Sequence, residues 1–159
     1  MHEVRTRRRH EPEAVSCGFF LLPRPDGFVL HMSASPEHVS EMRALVFKAA
    51  TSSGASEDVA DSARLVAGEL VANVVRLCGP WAPVVVLVAG TDEGVVVEVH
   101  DPVPSTAPGR KPESPDNTRA ETGRGLWILD ALAPGWSVAP TPVGKRITCT
   151  LPHGEPASS

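Results

Sequence analysis

The feature that most constrains this chain is a pair of valine-rich runs around a short polar turn, "VVVLVAG-TDEG-VVVEVH", residues 84–100. β-Branched residues suit a pleated, half-buried surface and lose side-chain freedom in a helix. The two runs flank a turn containing Asp92, Glu93 and Gly94, a combination that predicts an antiparallel hairpin. The rest of the chain has to be arranged around that hairpin.

Upstream, "FFLLPRPDGFVLHM" predicts an extended piece, a Pro/Asp/Gly turn and a strand. "SASPEHVSEMRALVFKAA" follows. Ser35 is suited to an N-cap and Pro36 to the first helical position, and Val39, Met42, Val46 and Ala49 recur at helical spacing. "SSGAS" ends that helix. Ser56, Glu57 and Asp58 open a second one with acids at its positive end, expected to run to about Leu77, where "CGPWAP" stops it. Downstream of the hairpin, Pro102, Pro104, Pro108, Pro112 and Pro115 rule out regular structure over residues 101–122. "GRGLWILDAL" predicts a short helix entered through glycines, and "GWSVAPTPVGKRITCTL" a closing hairpin.

The predicted order is therefore strand, helix, helix, two strands, long loop, helix, two strands. Helices and antiparallel strands are segregated, which predicts an α+β two-layer sandwich with one helical layer on one face of a mixed, largely antiparallel sheet. The chain has 159 residues, fitting a single domain over 18–152, with an Arg-rich N-terminal arm (1–17) and a tail (153–159) expected to be mobile. Net charge is −4, which argues against a nucleic-acid binder held by bulk electrostatics. Cys17, Cys78 and Cys149 are far apart and lack C-x-x-C spacing, so neither a disulfide framework nor a zinc site is expected. With no stretch long enough to span a membrane, the chain reads as a reduced, cytoplasmic protein.

One stretch does not fit a purely structural helix. In "GELVANVVRLCGP" the stripe Val59, Ala63, Val66, Leu70, Val74, Leu77 would face the core, with Asn73 at its edge and Glu69 slightly further round. Burying a carboxylate without a partner is costly. One reading is a boundary pair making local hydrogen bonds. Three later features favour another. Asp101 ends a strand where the Pro-rich loop begins, and a strand-end acid there is either a turn former or an acceptor for an amino-bearing ring edge. "TGRGL", residues 122–126, leads two glycines into a helix and frees backbone N–H groups for phosphate oxygens, although G-x-G is often only a tight helix entry. Lys145 begins the last strand, either as an exposed hairpin charge or as part of a site.

Taken in order, "ELVANVVR", "EVHDPVP", "GRGL" and "GKRITCTLP" resemble the GHKL ATP-binding superfamily, especially the small bacterial anti-sigma-factor serine/threonine kinases and their regulatory relatives. The resemblance runs from about Phe28 to Leu151 and implies a Bergerat-type ATP-binding fold with ATP and Mg²⁺ as cofactors. It implies that Asp101 accepts a hydrogen bond from the adenine amino group and that Asn73 supplies an oxygen ligand to Mg²⁺. Gly123, Arg124 and Gly125 would bring backbone against the phosphates, and Lys145 would help hold the nucleotide. Glu69 would orient and deprotonate a protein serine or threonine. The implied partners are a sigma factor and an anti-sigma-factor antagonist protein, and proteins of this group can pair as homodimers. The chain departs from the pattern at Leu77, where the group often has a polar residue, and at the glycine-poor "DPVP". These departures support an alternative, a non-catalytic regulatory module of the same fold with weak or absent nucleotide binding.

Overall fold

The structure is a computed structural model that describes residues 13–16, 18–104 and 127–154. Its strands are β1 (Glu13–Ser16), β2 (Phe19–Arg24), β3 (Gly27–Ser33), β4 (Pro83–Thr91), β5 (Gly94–Asp101), β6 (Ser137–Thr141) and β7 (Gly144–Pro152). Two long helices, α1 (Pro36–Ser52) and α2 (Glu57–Cys78), lie between β3 and β4. A short helix, α3, occupies 127–132. The strands form one seven-stranded sheet in the order β1-β2-β3-β4-β5-β7-β6. The α+β arrangement with a largely antiparallel sheet is as expected, and every ladder between the described strands is antiparallel. β1 lies within the segment read from sequence as an arm.

The central hairpin forms as its sequence predicts. β4 and β5 pair from Val85↔His100 to Thr91↔Gly94, leaving Asp92 and Glu93 as the turn. Gly94 is required there because β7 crosses closely. A Cβ at Gly94 would meet the Leu151 carbonyl oxygen at 2.0 Å. The extended piece "FFLLPR" is a full strand, β2, hairpinned to β3 across Pro25 and Asp26.

Both long helices start at serine caps. Ser35 Oγ accepts from the His38 N–H at 3.1 Å, and Ser56 Oγ accepts from the Val59 N–H at 3.2 Å. Gly79, at φ 85°, ends α2 in a backbone conformation that side-chain-bearing residues avoid. α1 packs over β3 and β4, and α2 over β5 and β7. The core lies between the layers. Val84, Val86 and Val88 of β4 and Val95, Val97 and Val99 of β5 face Met42, Val46, Val66, Leu70, Val71 and Val74 of the helices.

The helix registers differ in detail from the periodicity reading. On α1 the fully buried positions are His38, Met42, Val46 and Ala50, with Val39 and Ala49 at the edge of the core. On α2 Ala63, Val66, Leu70 and Val74 are buried as expected, joined by Ala60, Ala67 and Val71. Leu77 does not belong to the stripe and is 67% exposed. The buried face is broader than one heptad line because α2 packs on α1 as well as on the sheet.

Candidate functional site

β5 alternates strictly. Val95, Val97 and Val99 point into the core, and the same alternation points Asp101 to the helix-facing side at the strand's end. Asp101 is therefore a buried carboxyl, 5% exposed as a residue. Its Oδ1 accepts from the Val103 N–H at 2.8 Å, closing a local Asx-type turn across Pro102. Lys145 Nζ donates to the same oxygen at 3.0 Å. The ladder explains that second bond. Asp101 and Lys145 are directly opposed in the β5–β7 register, so their side chains share a face. Among the described residues no donor reaches Oδ2. The turn is built tightly: a Cβ on Gly144 would meet the Asp101 carbonyl oxygen at 1.9 Å. Gly144 is a residue that sequence reading missed, although its signal, a glycine opening the strand opposite the acid, is present in "GKRITCTLP".

The helix wall is α2. Glu69 and Asn73 are both half-buried, one helical turn apart, beside the buried stripe as expected. The Asn73 carboxamide oxygen accepts a hydrogen bond from the Arg76 guanidinium, a partner three residues on that sequence reading also missed. That bond has to open before the oxygen can face a cation. The donor set itself suits a hard ion, since Asn73 offers a neutral oxygen and Glu69 a carboxylate on the same helical face. Among the described residues there is no cluster of three or more His, Cys, Asp or Glu side chains able to hold a metal by themselves. A cation here would thus depend on oxygens supplied by a bound phosphate, which is how Mg²⁺ is usually held at nucleotide sites.

The structure brings Asp101 and Lys145 into contact and sets Glu69 and Asn73 on the helix that packs over the same strand. Gly123, Arg124 and Gly125 lie outside the described residues. The helix they were expected to enter is present as α3, whose Ile128 and Leu129 are buried and whose Trp127 is 70% exposed.

Helices on one face of an antiparallel sheet are the α+β arrangement of an ATPase domain of the GHKL class. A family model for the histidine kinase-like ATPase domain matches residues 32–151, most of the chain. The chain belongs to that family, whose fold it shows and whose characteristic cofactor is ATP. Comparison with curated proteins gives no match.

Proposed function

We propose that this chain is an ATP-dependent protein serine/threonine kinase of the anti-sigma-factor type, which phosphorylates an antagonist protein and regulates a sigma factor. The observation that carries this reading is Asp101. A buried carboxyl with one oxygen held by Val103 and Lys145 and the other without a donor among the described residues is an acceptor set in a fixed orientation. An adenine amino group satisfies such an acceptor, whereas the carbonyl at the same ring edge of guanine does not.

When bound, MgATP supplies the transferable phosphoryl group. The chain's residues bind, orient and move one proton. Asp101 fixes the base edge, and Lys145 holds the Asp101 carboxyl in place. Asn73 would hold Mg²⁺ through its side-chain oxygen in place of Arg76. Glu69 would accept the proton of a partner's serine or threonine hydroxyl, leaving that oxygen free to take the phosphoryl group that the nucleotide would supply, with the diphosphate as leaving group. Phosphoryl transfer depends mainly on positioning and charge neutralisation, so this set is chemically sufficient.

A second reading is favoured by one contact and one exposed side chain. Arg76 occupies the Asn73 oxygen, and Leu77 presents an exposed apolar side chain where a polar support would help the site. Both suit a regulatory module of the same fold that binds nucleotide weakly and does not turn over.

Two variants separate the readings. Glu69→Gln keeps size and hydrogen bonding, so ATP binding should stay near the unmutated level while transfer to a serine-bearing antagonist falls about 10²–10⁴-fold. Asn73→Ala should weaken ATP binding only when Mg²⁺ is present. A Glu69→Gln protein that transfers phosphate at the unmutated rate would rule out the base role. Absence of transfer by the unmutated protein would give the lead to the regulatory module.

A further inference from the structure

α1 and α2 pack against one another, and an open cleft of about 450 Å³ lies along their seam, within the size range of small-ligand sites. Pro36, Val39, Ser40, Arg43 and Ala44 of α1 and Arg64 of α2 line it. Two of the six are arginines, and no carboxylate lines the cleft among the described residues. In a chain with a net charge of −4, that concentration of positive charge calls for a reason.

Each arginine reaches across to the other helix. Arg43 lies along α2 at Gly68, where a Cβ would come within 3.3 Å of Arg43 Cδ and 3.4 Å of its Nε. Glycine inside a helix costs about 0.5–1 kcal/mol relative to alanine. No turn requires it here, since α2 runs on to Cys78, and the space it leaves is taken by the arginine stem. Arg64 crosses the other way, with its guanidinium carbon 5.0 Å from the centre of the Phe47 ring. Stacking of that kind fixes the plane of the guanidinium and leaves its N–H edges open. Asp61 takes one edge, as an exposed i,i+3 pair of the sort that contributes little and yields to a stronger anion. Arg43 and Ser40 have no side-chain hydrogen bond or ion pair among the described residues.

These donors fit one ligand chemistry. A carboxylate carries two oxygens and one charge, which a single arginine fork satisfies. Two forks from two helices, with a hydroxyl beside them, instead match the three terminal oxygens and the larger charge of a phosphomonoester. We propose that the α1–α2 cleft binds a phosphomonoester group, with Arg43 and Arg64 as its forks and Ser40 as a hydroxyl donor. The site is separate from the nucleotide cleft. At about 100° per residue, Glu69 and Asn73 project about 140° and 180° away from Arg64 around α2, so the two sites occupy opposite sides of one helix.

The test is an amide NMR titration of the full chain at about pH 7.5, where a phosphomonoester is largely dianionic. Inorganic phosphate, N-acetyl phosphoserine amide and acetate are added separately at constant ionic strength. Both phosphate compounds should give saturable shifts at Ser40, Arg43, Arg64 and Gly68. Acetate should bind about tenfold more weakly, having less charge and needing only one fork. Tighter binding of the phosphoserine compound would support a modified side chain as the source, and equal binding the free ion. Arg43→Lys keeps the charge and loses the fork, so it should weaken phosphate binding about tenfold while ATP affinity, read by calorimetry, stays unchanged. None of the shift readouts depends on ATP binding, so they stand apart from the kinase reading. Shifts confined to the Glu69 and Asp101 side, no saturable shift at the cleft, or acetate bound as tightly as phosphate would overturn the proposal. An Arg43→Lys protein that binds phosphate with unmutated affinity would overturn it as well.

Discussion

Asp101 is held by three different parts of the chain: the strand that carries it, the turn that follows it, and the opposite strand through Lys145. The cost of that tightness is concentrated at Gly144. Any side chain there collides with the Asp101 carbonyl, and the obstacle is backbone rather than a movable side-chain end. Gly144→Ala should therefore destabilise the fold by about 1–3 kcal/mol, the usual range for overpacking, and weaken ATP binding by shifting the acid. Thermal unfolding together with a binding titration checks both parts. The cysteines give a second residue-scale prediction. Burial pushes the Cys149 thiol up from 9.0 to about 12, because a thiolate in the core loses its hydration. Below pH 9 the thiol is protonated in the folded and unfolded states alike. Between pH 9 and about 12 the unfolded chain loses the proton first, so this group removes stability as pH rises through that window. In the folded protein at pH 8, Cys78 is exposed and should alkylate rapidly, and Cys149 should react only as fast as the protein opens. Peptide mapping after timed alkylation distinguishes them, and equal labelling of the two would contradict the burial of Cys149.

α2 is the element that links stability to the site. It buries Leu70, Val71 and Val74 on one side and presents Glu69 and Asn73 at the edge of that same face. Leu70→Ala should cost about 2–5 kcal/mol, the range for emptying a leucine position in a packed core. Because Glu69 precedes it directly, phosphotransfer should fall by more than the loss of folded protein explains. Denaturant unfolding alongside activity per folded molecule would show this. The helix itself was legible in the sequence, from its Ser56 cap to its glycine stop, since capping and chain reversal are local effects. The β4–β5 hairpin was legible for the same reason. Leu77 was not, because periodicity along one helix does not reveal which of its turns neighbouring elements cover. The opposition of Asp101 and Lys145, and the clash waiting at Gly144, were equally hidden. Each depends on the register between β5 and β7, strands 44 residues apart at that pair, which no local pattern fixes.

At the scale of the whole molecule, the two faces of one sheet differ. The helix-facing side builds the core and ends in the buried acid. The outward side carries the valine and leucine rows that the core does not use. The order of motifs along the chain was enough to place it in its family, whose model matches residues 32–151. Sequence could not show that Arg76 holds the Asn73 oxygen, a contact that a cation at that oxygen would have to displace.

The account therefore rests on Asp101 recognising adenine in a Mg²⁺-dependent site, and calorimetric titration of the purified chain with ATP and with GTP, with and without Mg²⁺, tests it most directly. The account predicts saturable ATP binding that strengthens with Mg²⁺. It predicts weaker GTP binding by about 1–3 kcal/mol, the cost of a buried acceptor left without its donor. It also predicts that Asp101→Asn loses most of that difference while remaining folded. Equal affinity for ATP and GTP, or no heat of binding from either in the folded unmutated protein, would contradict it.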